Sequence, residues 1–353
     1  MTPHPYRNIA DYRHWRRAPG VADPALLDPV VNPKFAIAPD EPVASAGSCF
    51  AQHVMRHIAS AGFNALISET APSILPEDLA KAHHYGVFTT RSGNIYTARQ
   101  LRQLFDRANG IFEPVAEPWA TEAGVLDPFR PSIGPFASAE ELAADRAWHL
   151  ARVRAMMAGL SVFVFTLGLT EAWMDDDGAV FPLAPGVVGG TFDAGRHRFH
   201  NFCPEETAAD LAAAIASVRA VNAEAKIILT VSPVPLMATA LDRHVLTATV
   251  HSKSILRVAA QAVADADPAI DYFPSYEIIT APQTRGRYFG PDARAVSEEG
   301  VAHAMRVFLK HYSDRTAAAA ATPHAIENEA FRARSQHIVD AFCDEEALDT
   351  QDR

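Results

Sequence analysis

The chain has 353 residues, 48% hydrophobic and 21% charged, enough to bury a sizeable core in one large domain or two smaller ones. Its 31 Lys and Arg against 42 Asp and Glu give a formal charge of -11, and no basic run is interleaved with aromatics, which argues against nucleic acid as a partner. Cys49, Cys203 and Cys343 are widely spaced, show no paired metal-ligand spacing and cannot all be joined within one chain, so a reducing compartment is expected. The opening residues lack the apolar segment and cleavage site of a signal peptide, and no later run reaches membrane-spanning length. The expectation is a cytoplasmic protein with no membrane partner.

The first 40 or so residues are rich in Pro and polar groups and read as an N-terminal extension (1-40). Val43 to Ala46 forms a short buried-strand pattern ending at Gly47-Ser48, and Val54, Met55 and Ile58 then recur at helical spacing through Ala51 to Ala61. Gly62 terminates that helix, and Phe63 to Ile67 begins another strand-like run. Ser138 with Glu141 has the spacing of a capping box for a helix through Met157, leading into the apolar strand Ser161 to Leu167. Trp173 to Phe181 resembles a hairpin turned at Asp177-Gly178; its acidic residues lack the rest of a calcium-loop pattern.

Pro204 suits the first turn of a helix reaching Val221, Lys226 to Val231 reads as a strand, Ser252 to Ala264 as a helix and Ile270 to Phe273 as a strand. Ser297 is the expected cap of the last core helix. Strands alternating with helices, several too apolar to face water, predict an α/β fold with a mostly parallel sheet of about five strands covered on both faces. One such domain spans 41-312. Residues 313-353 read as an Ala-rich linker followed by a polar helical tail from His324 to Phe342, peripheral to the fold.

The sharpest local feature is Ala46-Gly47-Ser48-Cys49-Phe50-Ala51, a small-residue turn between a buried strand and a helix N-terminus. A serine there stands at the carboxyl edge of the sheet, where backbone N–H groups and the helix dipole stabilise an oxyanion. Serine is also a common N-cap residue, so position alone leaves both readings open.

The string Gly47-Ser48-Cys49-Phe50-Ala51 resembles the motif that names the GSCFA family. Gly93-Asn94-Ile95-Tyr96-Thr97, Thr166 to Trp173, Ser232-Pro-Val-Pro235, Ser252-Lys253-Ser254 and Tyr272 to Glu277 look like further family blocks in the expected order, from about residue 43 to about 311. The resemblance implies an SGNH-like three-layer α/β/α sandwich, within the SGNH/GDSL ester-hydrolase superfamily, in which Ser48 attacks an ester or accepts an acyl group. It further implies an esterase or O-acyltransferase acting on a small-molecule or saccharide substrate. Cys49 is the alternative nucleophile, with its side chain expected in the core.

SGNH enzymes carry an Asp-x-x-His element before the last core helix, but here that place reads Asp292-Ala293-Arg294-Ala295. With Asp292 matched to the aspartate, Ala295 stands where the base belongs, and a serine without a base is a poor nucleophile at neutral pH. His244, after the strand ending at Ser232-Pro233, is the first candidate for the base, oriented by Asp292; His251 and His303 remain alternatives. His53 sits one helical turn beyond Ser48, where its ring points away. His197 and His200 lie three residues apart in a loop without a nearby carboxylate, a weak zinc pattern, and the pair His83-His84 reads as solvent-exposed.

For the oxyanion, the resemblance implies Gly93 with Asn94, and Gly168 with Thr170 where the family superfamily pattern has asparagine. Glu171 either orients a base, binds substrate or caps a helix. Lys253, Glu277 and Arg294 fall near strand ends, where they bind an anionic group or form a charge network holding loops. Tyr276 and Trp173 offer stacking surface for a sugar or pack in the core. No metal site, G-x-G-x-x-G turn or other cofactor signature is present. A noncatalytic scaffold that binds a glycan or metabolite is the competing reading, motivated by Ala295.

Overall fold

The structure, a computed structural model, describes residues 4–314 and 343–350. In chain order these form β1 Val43–Gly47, α1 Phe50–Ser60, α2 Glu77–Ala82, α3 Ala98–Ala108, β2 Trp119–Thr121, β3 Gly124–Leu126, α4 Ala139–Gly159, β4 Val162–Leu167, β5 Glu171–Met174, β6 Val180–Phe181, β7 Arg198–Asn201, α5 Pro204–Arg219, β8 Lys226–Val231, α6 Val245–Asp265, β9 Ile270–Tyr272, α7 Ser275–Thr280 and α8 Glu298–Tyr312. The expected tail helix His324 to Phe342 lies outside the described residues.

Four strands make the central sheet in the order β1-β4-β8-β9, every pair parallel, with Gly47 opposite Thr166 and Thr166 opposite Thr230. Apolar side chains alternate between its faces because successive strand residues point to opposite sides. Ala44, Phe163, Phe165, Ile227 and Leu229 pack with α3, α4, α5 and α6. Val43, Val162, Val164 and Ile228 pack with α1, α7 and α8. The result is the expected three-layer α/β/α sandwich.

The sheet has one strand fewer than expected. Phe63 to Ile67 touches it only through the isolated bridge from Ala65 to Val43, and Phe63 and Ile67 pack as loop residues on the α1/α8 face. The hairpin expected from Trp173 to Phe181 is present as β5 and β6, with Gly178 at φ +83° in the turn, and β7 extends it to three strands. Ser138 and Ser297 accept from Glu141 N and Gly300 N and cap α4 and α8. Helix α6 begins seven residues before its expected start, at Val245, because the His244 side chain accepts from Leu246 N at 3.1 Å and caps it.

Candidate active site

Strand β1 delivers Ser48 to the carboxyl edge of the sheet. Gly47 has φ +145°, and a Cβ there would lie 2.4 Å from the Thr166 carbonyl oxygen, so β1 can lie this close to β4 only with glycine. The Ser48 N–H donates to that same oxygen at 3.2 Å, and α1 begins two residues later. Ser48 is 2% exposed, and its Oγ has no hydrogen-bond partner among the described residues.

Ser48 lines a cavity of about 10 Å³, room for about one water molecule. Gly168 and Ser232, the residues that follow β4 and β8, line it too, with Cys49, Tyr96, Lys253 and Glu345. Three parallel strands therefore end at one point, the usual ligand edge of an open α/β sheet. Gly168 keeps space beside the serine, since a Cβ there would stand 3.1 Å from Ser48 Cβ and 3.1 Å from Tyr96 Cδ1.

Lys253 reaches the cavity from α6. Thr249, Ser252, Lys253, Leu256 and Ala260 form a buried stripe at helical spacing, so the lysine points inward. Its Nζ donates to the Gly168 carbonyl at 2.5 Å, and burial pushes the ammonium down to about 8. The preceding residue, Ser252, accepts through Oγ from Thr170 N at 3.0 Å and from Thr170 Oγ1 at 3.1 Å, which ties the loop after β4 to α6.

The opposite wall is the loop from Gly93 to Thr97. Ile95 N donates to Gly47 O at 2.8 Å, and Tyr96 O accepts from Gly168 N at 2.9 Å and from Leu169 N at 3.1 Å. Gly93 has φ +66°, and Asn94 is buried beside it. A buried ion network stands behind this loop. Glu69 accepts from Arg91 N at 2.7 Å and Arg91 Nε at 3.0 Å and pairs with His149 at 2.8 Å, while Asp145 joins Arg91 to Arg130 and Asp127 joins Arg130 to Arg146. Burial would raise the Glu69 carboxyl, but His149 and Arg91 outweigh it and hold it at about 2.

The GSCFA family pattern matches residues 42–308, from the position before β1 into α8. The chain belongs to the GSCFA family. No curated protein matches it. The GSCFA match takes in Ser48, Asn94, Gly168, Lys253 and Arg294 and leaves the last residues of the chain outside.

Those last residues correct the expectation of a peripheral tail. Cys343, Asp344 and Glu345 are buried against the GSCFA site. Arg294 Nη2 donates to Glu345 Oε2 at 2.9 Å and approaches Cys343 Sγ at 3.6 Å. Asn94 Nδ2 donates to Asp344 Oδ2 at 2.9 Å, and the Tyr96 hydroxyl lies 3.9 Å from Cys343 Sγ. Burial raises the Asp344 carboxyl to about 6 against the pull of Asn94, and raises that of Glu345 against Arg294 and Lys253. Cys49 is buried, as expected, and also lines the cavity and faces Cys343, a neighbour that, with burial, raises its thiol well above the ordinary value. No local pattern pointed to Cys343–Glu345, because their partners Asn94, Tyr96 and Arg294 are 49 to 250 residues away in sequence.

The cavity brings together Ser48, Gly168 and Lys253; Asn94 and Arg294 meet its edge through Asp344 and Glu345, and His244 is not brought to them. His244 is exposed at the head of α6 and does not line the cavity. Asp292 is also exposed; its carboxylate accepts from Arg294 N and Ala295 N, both at 3.0 Å, closing a turn and meeting no histidine. His251 is exposed, and His303 is bonded to the Tyr288 hydroxyl at 2.5 Å and Leu27 O at 2.7 Å.

Glu171 accepts from Thr239 Oγ1 at 2.7 Å, and Thr170 Oγ1 donates to Asn201 Oδ1 at 2.6 Å. Glu277 pairs with Arg257 at 2.6 Å and accepts from the Tyr272 hydroxyl at 2.9 Å, a loop-holding network. His200 pairs with Glu206 at 2.9 Å. His84 is buried rather than exposed, and burial lowers it to about 4. Among the described residues no helix is long and apolar enough to cross a membrane.

Proposed function

We propose that this GSCFA protein is a serine acyl-transfer enzyme of the SGNH type, an esterase or O-acyltransferase, in which Ser48 is the nucleophile and Lys253 its base. The observation that carries this reading is the shared cavity: a buried, unpartnered serine hydroxyl and a buried lysine, its charge destabilised by burial, at the carboxyl ends of three parallel strands. Lys253 supplies what Ala295 cannot. A lysine lowered toward neutrality by desolvation is a known form of general base.

In the proposed reaction neutral Lys253 accepts the Ser48 proton as Oγ bonds to the acyl carbon, and negative charge moves to the carbonyl oxygen. The amides of Cys49 and Phe50, in the first turn of α1 where helix N–H groups have no partner within the helix, stabilise that oxyanion. The bond to the leaving oxygen then breaks, and the leaving group takes the proton back from Lys253. Water or a substrate hydroxyl attacks the acyl-enzyme by the same steps in reverse, giving hydrolysis or transfer. A saccharide substrate rests on the superfamily resemblance alone.

A serine-directed fluorophosphonate that labels Ser48, together with ester turnover that Ser48→Ala abolishes, is the expected result; unchanged turnover in Ser48→Ala sinks the proposal. A noncatalytic binding scaffold is the second reading, favoured by a cavity lining that holds no histidine among the described residues and that includes Glu345 of the C-terminal segment. Saturable binding of a sugar or metabolite without labelling of Ser48 would support it.

A further inference from the structure

The cavity mouth is cationic once the chain's own C-terminal segment is set aside. Lys253 is fully buried, with the Gly168 carbonyl as its hydrogen-bond acceptor. Arg294 is mostly buried, and its ion pair is with Glu345. Burial works against the Arg294 charge, yet Glu345 and Cys343 outweigh it and hold the guanidinium charged. Lys253 lines the cavity and Arg294 stands behind Glu345 at its edge, so without an anion there the guanidinium would be left largely buried and uncompensated. Both cations lie within residues 42–308, and the carboxylate that compensates them comes from beyond that span.

We propose that Arg294 forms a carboxylate-binding subsite for the substrate beside Lys253, and that Glu345 occupies it as a built-in competitor which a carboxylate-bearing substrate displaces. The inference rests on the acyl-transfer reading for what happens next at Ser48, but the subsite itself does not depend on catalysis. The Arg294 fork suits a planar carboxylate, which it meets through Nη2 at 2.9 Å in the Glu345 pair. Asp344, held by Asn94 at 2.9 Å, anchors the competitor from the other side. A neutral ester would gain nothing from Arg294, whereas an ester bearing a carboxylate would pair with it in place of Glu345. Because the competitor is tethered, its effective concentration is on the order of millimolar or higher, so weak ligands see an occluded site in the native chain.

Calorimetric titration of the full chain with glutarate, whose carboxylates mimic the Glu345 side chain, tests the subsite directly. Glu345→Gln is expected to bind glutarate at least tenfold more tightly than the native chain, and the double variant Glu345→Gln/Arg294→Gln to lose that gain. Glutaramide, the uncharged analogue, is expected not to bind. Equal glutarate affinity in the native chain and in Glu345→Gln, or a gain that survives loss of Arg294, would overturn the proposal.

A second readout needs no variant: in the native chain, tens of millimolar glutarate should speed alkylation of Cys343 by iodoacetamide, read by peptide mass spectrometry, and glutaramide should not. Unchanged alkylation alongside unchanged binding counts against displacement. Comparing p-nitrophenyl acetate with the p-nitrophenyl monoester of glutaric acid separates the two ideas. Glutarate binding without turnover of either ester leaves the subsite standing and removes the acyl-transfer reading. Turnover of both esters with no preference for the charged one removes the subsite and leaves the chemistry.

Discussion

Lys253→Arg keeps a cation against the Gly168 carbonyl and removes the proton acceptor. With the ammonium at about 8, roughly one lysine in ten is neutral at pH 7 and roughly nine in ten at pH 9, so kcat/KM for p-nitrophenyl acetate should climb about tenfold over that interval. A guanidinium stays protonated throughout. The variant should therefore lose about 100-fold to 10,000-fold in kcat/KM, the usual contribution of a general base, and its pH profile should be flat below pH 10.

Stability gives an independent measure of the same residue. The folded chain holds the lysine proton less tightly than the unfolded chain, whose ordinary value is 10.5, so the unfolded state binds more protons between about pH 8 and 10.5. Stability should rise with pH across that window, and at neutral pH the buried ammonium costs about 3 kcal/mol. Lys253→Met removes that cost together with one hydrogen bond worth about 1 kcal/mol, so it should be more stable at pH 7 and lose the alkaline rise. Urea titrations at pH 7 and 9.5, paired with initial rates from pH 6 to 10, test both halves. A Lys253→Arg variant within threefold of native activity, or a native profile flat from pH 7 to 9, would refute the assignment of the base.

Gly47→Ala should cost about 3 kcal/mol or more by forcing a side chain against the Thr166 carbonyl at φ +145°, seen as a lower urea midpoint with an unchanged slope. Glu69→Gln should cost about 3 kcal/mol, because it removes one of the two carboxylates that hold the buried Arg91, Asp145 being the other, and the carboxylate that holds His149. In the native chain the Glu69 carboxyl, held at about 2 from an ordinary 4.5, contributes stability that is complete above pH 4.5. That contribution, about 3 kcal/mol, fades as the pH falls toward 2, and acid titration of the native chain and Glu69→Gln should converge. Asp344, raised to about 6 from 3.8 by burial, takes up a proton when the C-terminal segment seats. Seating is therefore favoured in acid and weakens as the pH rises from about 4 to 6. Hydrogen exchange of residues 343–346, corrected for intrinsic rates, should show stronger protection at pH 5 than at pH 7, and Asp344→Asn should reduce the difference.

The central strands were legible because each is an apolar run buried on both faces, as Val162 to Leu167 and Ile227 to Val231 show. Phe63 to Ile67 has the same composition but pairs only at Ala65, and a short apolar run carries no sign of whether a strand edge is within reach. The setting of Ser48 between a strand and a helix was legible, whereas Lys253 enters from within α6 and Arg294 from the loop before α8 rather than from strand ends. The lysine's orientation was also written in the chain: Thr249, Ser252, Leu256 and Ala260 place residue 253 on the inward face. His244 drew attention as an isolated imidazole at the right sheet edge, but its ring nitrogen satisfies the first turn of α6 instead. Cys343–Glu345 carried no legible signal, since what buries them is complementarity to Arg294 and Asn94, distant in sequence.

The floor of the cavity is joined almost wholly through the main chain: Ser48 N to Thr166 O, Ile95 N to Gly47 O, Gly168 N and Leu169 N to Tyr96 O, and Ser232 N to Leu167 O. Apart from Gly47 and Gly168, where a Cβ would crowd the neighbouring chain, bonds of this kind do not depend on the side chain each residue carries. Leu169, Val234, Pro235 and Leu236 around the opening can therefore be exchanged to reshape what enters while the distance relations beneath them persist. For anyone seeking to redirect this protein toward a new ligand, that rim is the part to randomise and the stitched floor the part to leave alone.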